Sequence, residues 1–316
     1  FRPSCDLTMR TLVIGGGVIG LRTALELVRR NVPVVLQSAR PPLHPSTCSV
    51  GAGGLWMPFH CDDPRTDRWA METLDELYPM ALDQQNSLVE QVSAVSIKRE
   101  HSGPSVKEFL ENQEQTLPSW TRDKRLDFQH MTVEMLTWQN TVFRLRIPSQ
   151  EQLLEAGYKH AWLFKTPVVD SPNMLKAMLQ EVETSPRTVD VNVNMGHEYA
   201  SVQEMVEAAR SLGCQAVVNC VGLGAASVCN DPHLMGARGI LLEFDRKTTK
   251  RTFVGSDGTQ ENLAHDAVIL VEERPWADDL YPCYLIPRGD RLVVGGSYAE
   301  NDKEPTIRPE ERDRLL

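Results

Sequence analysis

The stretch Gly15-Gly16-Gly17-Val18-Ile19-Gly20 constrains this chain more than any other. It spells G-x-G-x-x-G between an apolar run ending at Ile14 and a segment whose apolar residues fall at helical spacing: Ile19, Ala24, Leu25, Leu27 and Val28. Gly15 permits a tight strand-to-helix turn, Gly17 lets backbone approach a pyrophosphate, and Gly20 lets helix and strand pack closely. Val18 and Ile19 open a helix whose first N–H groups and positive dipole end face the phosphates. Residues 33–36 supply the second strand of a βαβ unit. These features predict an α/β fold with a Rossmann-like dinucleotide site.

The fingerprint does not choose the dinucleotide. At the end of the second strand, where an acidic residue would accept from the adenosine ribose, stands Gln37, followed by Ser38, Ala39 and Arg40. An uncharged amide is a weaker acceptor than a carboxylate. A missing acid beside an arginine also suits a 2′-phosphate, so NADP stays open at this point.

The whole chain narrows the field. At 316 residues it is long enough for about two domains and a core that needs no staples. Its formal net charge of −10 and the lack of a Lys/Arg run argue against a nucleic-acid partner. No apolar run reaches the roughly 18 residues of a membrane span. Seven cysteines form no CxxC pair and eight scattered histidines form no i, i+4 pair, so no metal site is expected. Cysteine usage of this kind fits a reducing, intracellular compartment.

Further along, residues 41–54 read as loop and 66–92 as one long amphipathic helix, or two broken at Pro79. Residues 100–130 look like a polar surface insertion. Strands are expected at 142–147, 161–167 and 189–193, helices at 173–183 and 201–212, and a fully buried strand at 216–221 closed by Gly222 and Gly224. Segments 239–244, 267–271, 284–287 and 292–295 look like a run of antiparallel strands.

Four blocks, in order, carry a resemblance. They are residues 47–58 (Thr-Cys-Ser-Val-Gly-Ala-Gly-Gly-Leu-Trp-Met-Pro); Leu117-Pro118-Ser119-Trp120; residues 217–222 with Asp231-Pro232 and Ala237-Arg238-Gly239; and residues 281–287 with Val293-Val294-Gly295-Gly296. Over essentially its whole length the chain resembles the D-amino-acid oxidase family. The small residues 51–54 agree with this, since their backbone can lie flat against a flavin ring.

The resemblance implies FAD as cofactor and oxidative deamination of a D-amino acid, with hydride transfer from the substrate Cα to flavin N5. The implied products are a 2-oxo acid, ammonia and hydrogen peroxide. Carried over by position, Gly15, Gly17 and Gly20 hold the pyrophosphate, and Arg40 follows the second strand without the acid expected before it. Thr47, Cys48 and Ser49 fall near phosphate and ribityl, and Gly53, Gly54 and Leu55 fall beside the flavin ring. Tyr284 matches the tyrosine that contacts the substrate carboxylate, and Tyr281 matches the lid tyrosine. The family's carboxylate-binding arginine and a glycine-rich segment would lie beyond Leu316, so the natural protein is expected to continue.

Met57 and Phe59 make an apolar pocket wall, and Glu272 and Glu273 near the lid favour neutral or basic D-amino acids. D-aspartate oxidase, an NADP-dependent reductase and a non-catalytic flavin-fold protein are the alternatives. The expected partners are a small D-amino acid and O2, with no nucleic acid and no membrane; a homodimer is the one assembly considered. The expected location is peroxisomal or cytoplasmic, with no targeting signal visible. A FAD-binding domain over 1–58 and 160–232, its C-terminal part missing, is expected to interleave with a substrate-binding domain over 59–159 and 233–316. The latter is expected to be built on a mainly antiparallel sheet.

Overall fold

Strand β1 (Thr11–Ile14) is buried along its whole length, which is why it is apolar from Leu12 to Ile14 rather than alternating. It pairs in parallel with β2 (Val34–Gln37) and with β7 (Ala216–Asn219), and β2 pairs in parallel with β6 (Thr188–Asn192). The resulting order, β6-β2-β1-β7, reverses direction at β1 and opens a crevice at the carboxyl ends of β1 and β7. The computed structural model that establishes this describes residues 9–58, 63–99, 117–136, 149–246, 252–254, 260–262, 267–271, 283–302, 304 and 306–315. Strands are numbered in chain order.

Helices cover both faces of this sheet. Helix α1 (Val18–Arg29) and the helix Ser171–Thr184 bury Leu21, Ala24, Leu25, Leu175 and Val182 against Val13, Val34 and Leu36. On the other face the helix Val202–Ser211 packs Met205 and Ala209 against Leu12, Ile14 and Val35. The alternation of β1 side chains between the two clusters is the period-two geometry of a strand.

The chain divides into two compact units, each built from separated segments. The first comprises Phe1–Ala52, Ser171–Arg238 and Glu300–Pro305; the second comprises Gly53–Asp170, Gly239–Ala299 and Thr306–Leu316. The chain leaves the first unit through β8 (Ala237–Arg238) and re-enters it at β15 (Ala299–Glu300).

The second unit is built on a seven-stranded sheet in the order β4-β5-β3-β12-β13-β14-β9. These strands are β3 (Val89–Arg99), β4 (Gln129–Thr132), β5 (Tyr158–Val169), β9 (Leu241–Asp245), β12 (Ala267–Val271), β13 (Cys283–Arg288) and β14 (Arg291–Gly295). The β3–β12 pair is parallel and the other five are antiparallel, so the sheet is mixed with antiparallel pairing dominant. The strands β10 (Thr252–Val254) and β11 (Gln260–Asn262) pair antiparallel beside it in sequence. One face buries Trp56, Leu74, Trp120, Phe164 and Ile286, and the other buries Val95, Ile97, Met131, Leu153 and Leu163.

Several expectations need correction. Helix α2 (Thr66–Leu82) is the single helix of the two readings, continuous through Pro79, but it stops at Leu82 rather than reaching residue 92. Pro79 removes the N–H that would bond the Asp75 carbonyl, and the helix ends three residues later. Residues 89–92 are not helical but open β3, the longest partner of β5. Asp83 and Asn86 accept from the backbone N–H groups of Gln85 and Leu88, and these Asx turns separate helix from strand.

The polar stretch around Trp120 is no surface insertion: two short 3-10 turns bury Trp120 and Leu126. Trp120 meets Trp56, Phe128, Trp162 and Phe164 edge-on, with ring centroids 5.5–6.0 Å apart. Strand β7 is half-buried rather than fully buried, because it is the edge strand of its sheet among the described residues. A division at residue 160 would cut β5, which lies wholly within the seven-stranded sheet. The strand expected at 142–147 lies outside the described residues.

Candidate functional site: a glycine-lined cleft and a tyrosine face

In the first unit, the turn from β1 into α1 has no room for side chains. Gly15 has φ +133°, and a Cβ on it would lie 2.1 Å from the Cys220 carbonyl oxygen. A Cβ on Gly20 would lie 1.9 Å from the Gly15 carbonyl oxygen. Glycine at both positions is therefore what allows α1 to start directly over the ends of β1 and β7.

The helix N-terminus this exposes is poorly capped. Gly17 supplies no side-chain cap and the first turn holds no acidic residue. The Val18 N–H donates to Ser49 Oγ at 3.0 Å, while the amides of Gly16 and Gly17 have no partner among the described residues. Orphan N–H groups at the positive end of a helix form an anion site.

A cleft of about 370 Å³ opens in front of this turn. Its floor is residues 14–19, and its sides are residues 38–40, 46–49, 195–199 and 220–224. That volume lies within the range of small-molecule and cofactor sites. Thr47, Cys48 and Ser49 line it together, as do Gly15, Gly17, Val18, Ile19 and Arg40; Gly20 lies behind the turn. Asn219, at the end of β7, accepts from the Val221 N–H at 3.2 Å and so shapes the turn into residues 222–224.

The wall formed by residues 195–199 escaped the sequence reading. It is stitched to the end of β2 by backbone bonds from Met195 and Gly196 to the carbonyls of Ser38 and Ala39, each 3.0 Å. The Tyr199 hydroxyl donates to Gln37 Oε1 at 2.6 Å, and burial pushes the Tyr199 phenol above its usual range, with Glu204 adding to the shift. Arg40 lies 3.1 Å from Glu198, both exposed at the rim. The signal that could have found this wall is topological: β6 neighbours β2, so the loop after β6 borders the same crevice as the loop after β2.

The second unit carries the other expected residues. Residues 53–58 run along β5: the Trp56 N–H donates to the Pro167 carbonyl, the Val169 N–H donates to the Gly54 carbonyl, and the Thr166 hydroxyl donates to the Trp56 carbonyl at 2.5 Å. Gly53 faces Ile286 of β13, where a Cβ would stand 2.8 Å from the isoleucine Cδ1. Leu55, Met57 and Tyr284 pack, half-buried, against one apolar cluster with Trp56 and Ile286. Burial, chiefly, raises the Tyr284 phenol pKa above 10, with Cys283 adding to it. At neutral pH the Tyr284 hydroxyl is thus a firm donor. Phe59 and Tyr281, like Glu272 and Glu273, lie outside the described residues.

Among the described residues no group of three His, Cys, Asp or Glu side chains could hold a metal ion, and no helix is long and apolar enough to cross a membrane. The chemistry of the first unit is that of a polyanion cradle: orphan amides, a helix dipole, small residues, and hydroxyls at Thr47 and Ser49. It fits the adenosine-diphosphate half of a dinucleotide.

Comparison with known proteins settles which dinucleotide. The D-amino-acid oxidase of Rubrobacter xylanophilus is 24% identical over 294 residues, covering 92% of this chain and 70% of that protein. The D-amino-acid oxidase of Streptomyces coelicolor is 26% identical over 293 residues, with the same shares. Glycine oxidase from Bacillus cereus superposes with a TM-score of 0.59 at 16% identity, over 97% of this chain and 76% of the other; that likeness is one of fold. The family model of FAD dependent oxidoreductases, DAO, matches residues 10–316. The match takes in both the cleft and the tyrosine face, and the chain accordingly belongs to the DAO family of FAD-dependent oxidoreductases, with FAD as its cofactor.

Proposed function

We propose that this protein is an amino-acid oxidase that converts a D-amino acid, O2 and water to a 2-oxo acid, ammonia and hydrogen peroxide. The observation that carries the reading is the half-buried Tyr284 hydroxyl, held protonated in an apolar setting with Leu55 and Met57. A buried neutral donor beside apolar surface suits a substrate with a carboxylate at one end and a carbon skeleton at the other.

The roles follow from the residues. The amides of Gly16 and Gly17, ahead of α1, together with Thr47 and Ser49, bind the pyrophosphate; Val18, its amide donated to Ser49, lines the cleft beside them, and Gly15 and Gly20 let the turn adopt its shape. Ile19, Cys48 and Arg40 complete the cleft wall. Gly53, Gly54 and Leu55 offer a flat backbone edge to the flavin ring. When bound, FAD supplies the two-electron acceptor. Tyr284 donates its hydroxyl to the substrate carboxylate, which fixes the orientation of the Cα–H, and orientation is the protein's main contribution to such a reaction. Tyr281 and Phe59 are assigned to the lid and pocket wall.

Met57 is the described residue that bears on side-chain preference, and its thioether favours neutral over acidic substrates. With FAD as cofactor, the NADP-reductase reading falls away. The two relatives named above are bacterial, so the peroxisomal address has no support in them. Product analysis tests the proposal: one equivalent each of 2-oxo acid, ammonia and peroxide from D-alanine supports it, and turnover of D-aspartate in preference to D-alanine contradicts the substrate class.

A further inference from the structure

The end of β2 poses a problem that the cleft itself answers. An adenosine ribose needs a hydrogen-bond acceptor where β2 ends, and Gln37 stands there with its amide oxygen engaged by the Tyr199 hydroxyl at 2.6 Å. That oxygen is turned to Tyr199, and Gln37 is not among the residues that line the cleft. A carboxylate is nevertheless present at the rim: Glu198 lines the same cleft from the loop after β6.

The backbone on either side of Glu198 is held in place. The Met195 and Gly196 amides tie the loop to Ser38 and Ala39 on one side. On the other, Ser201 caps the following helix through the Glu204 N–H, and the Ala200 N–H donates to the Glu204 carboxylate. A second cleft of about 450 Å³, lined by residues 39–41, His44, Asn194 and residues 196–198, shares Ala39, Arg40, His197 and Glu198 with the first. Glu198 therefore lines both clefts. The first reaches the N-terminus of α1, and the second has volume enough for a base.

We propose that Glu198 is the adenosine-ribose acceptor of this protein, supplied by the loop after β6 in place of the acid that β2 lacks. Its carboxylate accepts from the 2′-hydroxyl, and Tyr199 serves as a positioning residue by holding Gln37 away from that role. The Arg40–Glu198 pair fits the assignment. With 53% and 63% of the two side chains exposed, it adds little to stability, and it leaves carboxylate oxygen available to a ligand. The same carboxylate repels a 2′-phosphate, so the site selects an unphosphorylated ribose although an arginine is adjacent.

The test is the binding of FAD, and of FAD lacking the adenosine 2′-hydroxyl, to apoprotein made by stripping the holoenzyme, followed by quenching of flavin fluorescence. Wild type is expected to bind the deoxy analogue about tenfold more weakly than FAD, the size of a hydrogen bond to a charged acceptor. In Glu198→Gln, FAD affinity is expected to fall by a similar factor, and discrimination between the two ligands is expected to shrink to less than twofold. That ratio is read within each variant, so a change in folded fraction does not affect it. A Glu198→Gln protein that binds FAD as wild type does, or that still rejects the deoxy analogue tenfold, overturns the proposal and places the 2′-hydroxyl on another group.

Discussion

Gly295 stands directly opposite Tyr284 in the β13–β14 register, and the phenol ring occupies the space a side chain there would need. A Cβ on Gly295 would fall 2.3 Å from the ring Cζ and 2.4 Å from the hydroxyl oxygen. The glycine is thus the condition for the tyrosine's placement, and the two act as one feature. Gly295→Ala is expected to push the ring off its seat at a cost of about 1–3 kcal/mol in stability. It should raise KM for the amino acid while leaving FAD affinity within twofold, measurable by steady-state kinetics beside a flavin titration.

Tyr284→Phe separates the hydroxyl from the ring. The ring keeps its packing on the Trp56–Ile286 cluster, so the melting temperature should change little. KM for the amino acid should rise about tenfold, the loss of one hydrogen bond to a carboxylate.

Because burial holds the Tyr284 pKa above 10, the folded state binds this proton more tightly than the unfolded chain does. Its contribution to stability is then fully present below pH 10 and is lost as pH rises through the higher folded value. The pH profile of kcat/KM should show no alkaline decline from this group below pH 10, and Tyr284→Phe should leave that limb unchanged.

Strand β4 carries a second titrating group. Burial, followed by the nearby His160 and Lys98, lowers the His130 pKa from 6.5 to about 4. The unfolded chain then takes up a proton that the folded one refuses. Stability should be complete above about pH 6.5 and should fall as pH drops toward 4. Urea unfolding across that range should show the slope, and His130→Gln should flatten it.

Gly20→Ala strikes the cleft rather than the tyrosine face. With the Gly15 carbonyl oxygen 1.9 Å from the new Cβ, α1 must move away from the turn, and the orphan amides move with it. FAD affinity should fall at least tenfold, and the purified protein should lose most of its yellow colour.

The β1–α1–β2 unit was legible in the sequence because each part is encoded locally: an apolar run, glycines at a turn, and a helical stripe. Strand β3 was not, because the polar run 83–87 that ends α2 also suits the exposed face of a helix, and only the Asx turns at Asp83 and Asn86 make it a boundary. Trp120 sits in a polar neighbourhood whose burial depends largely on Trp56, Trp162 and Phe164, each more than 40 positions away in the chain, which no local pattern shows. In the cleft, glycine positions and the 47–49 segment could be placed in advance. Glu198 could not, because what brings it to the site is the adjacency of β6 and β2 rather than any spacing along the chain.

The most direct measurement is the absorbance spectrum of the FAD-loaded protein under anaerobic conditions, before and after addition of D-alanine or L-alanine. The account predicts that the oxidised-flavin bands bleach with D-alanine, stay with L-alanine, and return when air is admitted with release of peroxide. Bands that bleach with the L-enantiomer, or with neither, would contradict it.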